Sequence, residues 1–384
     1  MQMIGNSLPN NVSLYFHIPF CKRKCDYCHF YVIPENESSK EKLLQSFILE
    51  WQLRLPFLKN KQIYSIYFGG GTPSLFGPEK IKHVLEMIKN SVPVHHDAEI
   101  TLEANPENIS LELMQAYAKA GINRVSIGIQ TLNTELLHLL GRLHNPETAL
   151  RAVYNVHDSG IKNISIDLMY DLPKQTLTHW ESTLKQIKDL PITHLSLYNL
   201  TIEPHTLFFK NQKQLQPLLP NEVESLAMYE MAVSILESYN LNQYEISAFA
   251  KENYEAQHNS GYWTARPFLG FGPSAFSYWD QKRFRNICHL EKYAKMLQNN
   301  QYPIDFEEQL DIEAHRRELF VIQLRLCRGV NKLEFQQAHG PLDKLTLTSL
   351  ERLMNEGFLV EKSNLIKLTG KGILFYDFIA SELI

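Results

Sequence analysis

The chain has 384 residues, 44% of them hydrophobic and 21% charged, which is globular material with room for one large core and one or two smaller ones. A formal charge of −4 gives no broad basic field, so composition excludes a role that rests on bulk attraction to nucleic acid or anionic membrane. No apolar run reaches the roughly 18 to 20 residues of a bilayer span, the start MQMIGNSLPNN lacks a signal-peptide pattern, and the expected location is cytoplasmic.

In chain order, SLYFHIP (13–19) reads as a buried strand that runs straight into CKRKCDYC, Cys21 to Cys28, which holds three of the five cysteines. Their spacing lets three thiolates converge from one loop on a small inorganic centre. An iron–sulfur cluster held this way keeps one iron open for a small molecule. A structural zinc ion with His17 or His29 as fourth donor fits the motif too. An odd cysteine count with three thiols crowded together is poor disulfide material and suits a reducing compartment. Cys288 and Cys327 stand alone and read as small buried hydrophobes or incidental thiols.

Helical spacing follows in SSKEKLLQSFILEWQLRLPFL, with Ser38 or Ser39 as the expected N-cap. The alternation then repeats. IYSIYF precedes PEKIKHVLEMIKNSV, with Pro78 in its first turn. AEITLEAN precedes LELMQAYAKAG, closed by Gly121. RVSIGIQ precedes helical stretches ending at Gly160, and NISIDLMYDLP, LTHWESTLKQIKDL and HLSLYNLTI complete six strand units. Strands read as apolar on both faces imply a parallel sheet with right-handed helical crossovers. The expected fold is α/β, a partial (β/α)6 TIM-like barrel, whose site lies at the C-terminal strand ends beside the cysteine loop.

Residues 1–250 are assigned to the barrel, including an aperiodic excursion at 203–221, the helix EVESLAMYEMAVSILESY and the strand YEISAFA. The Tyr-, Trp-, Gly- and Pro-rich segment 251–305 is expected to wrap the barrel. Residues 306–384 read as a winged-helix-like domain. Ten Lys and Arg there meet twelve Asp and Glu, so a structural or partner-docking cap is favoured over a DNA reader.

Chemistry gathers at the strand ends. In FGGGTPSL the glycines permit close backbone approach, and the missing Lys–Ser/Thr pair argues against a triphosphate loop. Glu103 follows strand three, Gln130 ends strand four, Arg142 lies in the loop beyond, and Asp167 lies within strand five. A charge late in an apolar strand is costly unless paired or bound, so four polar groups on one rim suggest a polar small molecule.

CKRKCDYC, GGGTP, Glu103, the GIQ of strand four and the Asp of strand five together resemble radical S-adenosylmethionine (SAM) proteins of the oxygen-independent coproporphyrinogen oxidase group, over nearly the whole chain. Within that group, HIPFCKRKCDYCHF, EANP, NRVSIGIQ, DLMYDLP, LTIEP and HNSGYW look most like the HemW-type heme chaperone branch. The resemblance implies that Cys21, Cys25 and Cys28 hold a [4Fe-4S] cluster and that S-adenosyl-L-methionine binds its open iron. It implies that Gly70, Gly71 and Thr72 hydrogen-bond the methionine part through backbone and hydroxyl, and that Tyr27 lies against the adenine. Glu103, Gln130, Arg142 and Asp167 match positions that bind the ribose and charged ends. Tyr15 matches a tyrosine that approaches cluster and cofactor and is the catalytic candidate.

For heme, the resemblance points to His258 as axial ligand with Tyr262 and Trp263 on the porphyrin face. The residues alone read equally well as a barrel plug, and His17, His29 and His289 read as structural. Implied partners are heme, a heme-acceptor protein such as a respiratory protein at the membrane, and an electron donor for the cluster, with no nucleic acid. The alternative activity is that of the oxidase, radical decarboxylation of two propionates to vinyls. Two departures favour the chaperone: Phe30 stands where the oxidase pattern has a further cysteine, and only 14 residues precede Tyr15.

Overall fold

Six segments in which apolar residues alternate with polar ones become six parallel strands: β1 (Asn11–Ile18), β2 (Gln62–Gly70), β3 (Val94–Ala104), β4 (Arg124–Gln130), β5 (Asn163–Tyr170) and β6 (His194–Asn199). The computed structural model describes residues 10–384. Crossover helices α1 (Glu37–Arg54), α2 (Pro78–Lys89), α3 (Leu111–Ala120), α4 (Pro146–Asp158) and α5 (Leu177–Gln186) link them, and α6 (Glu222–Ser238) follows β6. The cap of α1 is Asn36, whose Oδ1 accepts from Ser39 N at 2.8 Å, rather than Ser38 or Ser39 themselves. Pro78 and Gly121 stand at the ends expected of them, Gly121 in the left-handed region at φ 113°.

The strands are not apolar on both faces. One row, Leu14, Phe16 and Ile18 on β1, packs against the helices, with Phe16 edge-on to Phe47 of α1. The alternate row, Ser13, Tyr15 and His17, faces the barrel interior together with Ser65 and Tyr67 of β2, Glu99 and Glu103 of β3, Arg124 and Ser126 of β4, and Asp167 of β5. Most of those polar groups are paired with one another, although Arg124 Nε has an ion pair and no hydrogen bond. Ser65 Oγ donates to Ser13 Oγ at 2.8 Å, Ser126 Oγ to Asp167 at 3.1 Å, and the Arg124 guanidinium lies 3.8 Å from Glu99.

A hairpin, β7 (Asn242–Glu245) and β8 (Ala248–Ala250), adds antiparallel to β6 where one strand was expected. Residues 251–305 do more than wrap. After α7 (Gln257–Trp263), β9 (Phe268–Phe271) pairs parallel with β1, and β10 (Phe276–Trp279), β11 (Lys282–Asn286) and β12 (Ile304–Gln309) continue antiparallel. The sheet order is β12-β11-β10-β9-β1-β2-β3-β4-β5-β6-β8-β7. β12 therefore spans the expected boundary at 306.

Beyond it, α9 (Ile312–Leu324), counted after α8 (Leu290–Gln298), opens a separate core of Phe320, Leu324, Phe335, Leu353 and Ile366. Its wing is the hairpin 359–362 and 365–368, turned by Ser363 and Asn364 at φ 52° and 68°, as a two-residue primed turn requires. Among the described residues no helix is long and apolar enough to cross a membrane.

Candidate cofactor site

The cysteine loop leaves the end of β1 and is fastened on several sides. At its base, Phe20–Cys21 pairs with Ile33–Pro34, and Ile33 N donates to Pro19 O at 2.7 Å. At its tip, Asp26 N donates to Leu140 O at 3.2 Å, and Asp26 O accepts from Phe208 N at 3.0 Å. Glycines admit this approach. A Cβ on Gly71 would meet Phe20 O at 2.7 Å, and one on Gly70, which sits at φ 119°, would meet the His17 ring at 2.7 Å. The glycine turn thus makes room first for the chain's own cysteine loop. Its N–H groups are also committed: Gly70 to Glu103, Gly71 to Ile18 O at 2.9 Å and Thr72 to Phe20 O at 2.7 Å. An ammonium-bearing ligand would meet this turn through carbonyl oxygens, not through the N–H donors.

Cys21, Cys25, Tyr27, Cys28, Gly70, Gly71, Thr72, Glu103, Gln130, Arg142 and Asp167 line one cavity of about 430 Å³. Thr72 Oγ1 lies 3.5 Å from Cys21 Sγ, and Arg142 Nη1 donates to Cys25 Sγ at 3.5 Å. Tyr27 packs edge-on to Phe208. Gln130 reaches the cavity through a bulge between Gly128 and Gln130 that leaves it at φ 69°, a left-handed conformation uncommon outside glycine. Asp167 accepts from Ser126, and burial raises its pKa. Burial also pushes the Glu103 carboxyl up to about 7, against the hydrogen bonds from Tyr67 Oη at 2.7 Å and Gly70 N at 3.1 Å that favour its charge.

The donor set fits an iron–sulfur cluster. Among the described residues the three thiols do not all lie within 4.8 Å of one another. A single tetrahedral zinc with bonds of about 2.3 Å would draw them to about 3.8 Å, closer than all three lie here. Burial pushes the Cys21 thiol up to about 11 and raises Cys28, so these two thiols keep their protons and metal loading releases them.

Two candidates lie outside this cavity. Tyr15 lines a neighbouring one; its hydroxyl pairs with His17 Nδ1 at 3.0 Å and its ring stacks on Tyr67. Burial, then the Glu103 charge, raises its pKa, so it stays a phenol. His258 lines neither cavity. It is 1% exposed, its Nδ1 is 2.9 Å from Ser65 Oγ, and its Nε2 is 2.7 Å from Tyr262 Oη. Glu99 accepts from the N–H groups of Gln257 and His258 at the start of α7. Burial, with Arg266 and Arg124 nearby, lowers the imidazole pKa to about 3. Its one lone pair is already used, and the ring closes the polar interior of the barrel instead of facing an open site.

Sequence reasoning passed over Asn105, whose Nδ2 donates to Thr72 Oγ1 at 3.0 Å and whose Oδ1 accepts from Arg142 at 2.8 Å, coupling the two groups that touch the thiols. The EANP run contained it without assigning it a role. Tyr67, the support of Glu103, sits opposite Tyr15 in register and was legible as an inward residue of β2.

The Radical SAM superfamily signature covers residues 15–187, and the HemN C-terminal domain signature covers 310–375. The chain is similar to "Heme chaperone HemW" of Bacillus subtilis, 32% identical over 94% of this chain and 96% of that one. The protein of the same name from Haemophilus influenzae is 34% identical, with 95% and 96% covered. Among solved structures, coproporphyrinogen III oxidase (HemN) from Escherichia coli superposes with a TM-score of 0.86 at 23% identity, covering 97% of this chain and 90% of that one, which shows a shared fold. The chain carries the radical SAM signature over residues 15–187 and, on similarity over nearly its whole length, belongs to the family of the HemW proteins.

Proposed function

We propose that the chain is a heme chaperone on a radical SAM barrel: it binds heme, holds a [4Fe-4S] cluster with S-adenosyl-L-methionine, and passes the heme to an acceptor protein. The observation that carries the reading is the near full-length similarity, at 32% to 34% identity, to relatives named heme chaperones. A cluster with an open iron supplies one-electron chemistry toward the sulfonium of bound S-adenosyl-L-methionine. Cys21, Cys25 and Cys28 would hold it, with the Arg142 charge beside Cys25 offsetting thiolate charge. Glu103, neutral or ionised near pH 7, would accept the cofactor's ammonium, and binding a cation would favour its charged form. Gln130 and Asp167 would meet the ribose, and Tyr27 the adenine. Residues 10–250 form the barrel, 251–309 the sheet extension, and 310–384 a cap whose exposed apolar residues suit a protein partner. An electron donor and the acceptor are separate proteins.

The test is an anaerobic comparison on one cluster-replete sample. Heme binding near one per chain, without protoporphyrinogen from coproporphyrinogen III, reductant and cofactor, is the expected outcome. Formation of the vinyl product would replace the chaperone with the oxidase. Zinc without acid-labile sulfide in the purified protein would remove both.

A further inference from the structure

A second cavity, of about 820 Å³, lies against the cofactor cavity and shares Lys24, His29 and Phe30 with it as a common wall. It is enclosed by β1, by α7 with the strands that follow it, and by α9. Its volume is at the upper end of what small-molecule sites use, and its walls are mainly aromatic and aliphatic. Tyr31 and Phe30 stand on the cluster-loop side, Trp263, Phe268 and Phe276 on the other. The cavity suits a large flat apolar ligand.

Charge narrows the choice. Arg283 and Arg285 line the cavity but are committed to Glu308, Glu318 and Asp305. Lys24 and Arg266 have no carboxylate within ion-pair distance among the described residues. Lys24 Nζ donates to Phe30 O at 3.2 Å; Arg266 Nη1 donates to Ser13 Oγ at 3.3 Å and Gln257 O at 3.1 Å. Two cations outside any close ion pair border the aromatic slot, Arg266 with Glu99 at longer range and its guanidinium 4.6 Å from the Tyr64 ring centre, and they match a flat molecule bearing two carboxylates, as a porphyrin with its propionates does. The Trp263 indole N–H, buried and without an acceptor among the described residues, adds an unused donor.

The iron needs a ligand that is not already spent. His258 is bonded at both nitrogens, and so is His17, whose second nitrogen pairs with Tyr31 O at 3.1 Å. His29 lines the cavity too, but it sits next to Cys28 in the wall shared with the cofactor cavity, its ring 4.5 Å from that of Phe30. Cys288, just past β11, lines the cavity as a half-buried free thiol, and among the described residues its sulfur takes part in no hydrogen bond. We propose that this cavity is the tetrapyrrole site, with the propionates on Lys24 and Arg266 and the heme iron on the Cys288 sulfur. Coordination forms the iron–sulfur bond and sends the thiol proton to solvent, with no change in the iron's oxidation state. The proposal rests on the heme-binding reading and adds the place and the ligand.

The experiment is an anaerobic heme titration of the cluster-loaded full chain, followed by absorbance, with the ferrous–CO Soret band read as the signature of thiolate ligation. Wild-type protein shows that red-shifted band. Cys288→Ser loses it and binds heme about tenfold or more weakly, whereas His258→Gln stays within about threefold with the band intact. Lys24→Ala with Arg266→Gln keeps the band but weakens heme by about tenfold, the weight of a lost charge-assisted contact, and scarcely changes binding of the porphyrin dimethyl ester. Iron and sulfide contents certify each variant, and the exposed or half-buried Cys288 and Lys24 carry the test if the buried His258 variant fails to fold. Unchanged spectrum and affinity in Cys288→Ser overturn the assignment while heme binding stands. Absence of heme binding by the wild type removes the functional reading and the site together.

Discussion

Glu103 shows how burial prepares a group for a ligand. Unfolded, it ionises near 4.5; in the folded, ligand-free chain it does so at about 7. Between those values the native state holds more protons than the unfolded one, so stability falls as pH rises through the window and levels off above it. The span is worth about 3 kcal/mol. Glu103→Gln cannot ionise and loses one acceptor at every pH. Its stability relative to the parent should therefore improve by up to about 3 kcal/mol between pH 4.5 and pH 8, in urea unfolding of the cluster-free protein. Parallel profiles for the two chains would refute the assigned shift. Gly71 makes a steric counterpart. Its added Cβ would strike the backbone of Pro19 and Phe20, at 2.9 and 2.7 Å, where nothing flexible can yield. Gly71→Ala should cost about 1 to 3 kcal/mol and push the cysteine loop out of register. Iron content per chain after reconstitution, halved or worse, is the readout; full loading would show that the loop tolerates the displacement.

At the scale of elements, one buried carboxylate joins the helical layer to the added strands. Glu50 on α1 takes the Arg54 guanidinium at 2.8 Å, Asn286 Nδ2 at 2.8 Å, Gly272 N at 2.9 Å and the Tyr293 hydroxyl. Glu50 and Arg54 are 0% and 1% exposed, so removing one leaves the other charged and dry. Glu50→Ala should destabilise by about 3 to 5 kcal/mol, seen as a lower urea midpoint. A loss below about 1 kcal/mol would mean that water reaches Arg54. None of this coupling could be read from the chain. Each of β9, β10 and β11 is only four or five residues long, and Gly270, Gly272 and Pro273 interrupt the run, so no strand period builds up. The six barrel strands were legible because their apolar residues recur over longer stretches. Their inward polar row was in plain sight too, but what satisfies it comes from α7 and from neighbouring strands, which only tertiary structure brings together. For the same reason Gln130 was legible as a strand-end residue, while the bulge that turns it into the site was not.

Across the whole molecule, the cap is tied to the sheet edge at Arg325. Its backbone carbonyl accepts from Ile246 N at 3.2 Å, and Cys327 N donates to Tyr244 O at 2.9 Å. Its guanidinium lies 3.5 Å from Glu245, 4.2 Å from the Trp263 ring centre and 5.1 Å from that of Tyr376. One side chain therefore touches β7, the end of α7 and the last helix of the cap. Burial raises the Glu245 pKa, and the Arg325 charge holds it down in part. Without that charge the carboxyl rises further, so the folded variant holds its proton to a higher pH than the unfolded chain does. Arg325→Ala should then lose about 3 kcal/mol at pH 8 and less at pH 5, where Glu245 is more readily neutral. Amide hydrogen exchange should quicken through residues 310–384 while the barrel strands keep their protection, because the cap has its own core and its other side-chain ties to the sheet, Tyr278 with His315 at 2.6 Å and Arg283 with Glu318, reach α9 alone. Equal exchange in the cap of variant and parent would show that the backbone bonds at 244–246 suffice, and a pH-independent loss would show that Glu245 does not sense Arg325.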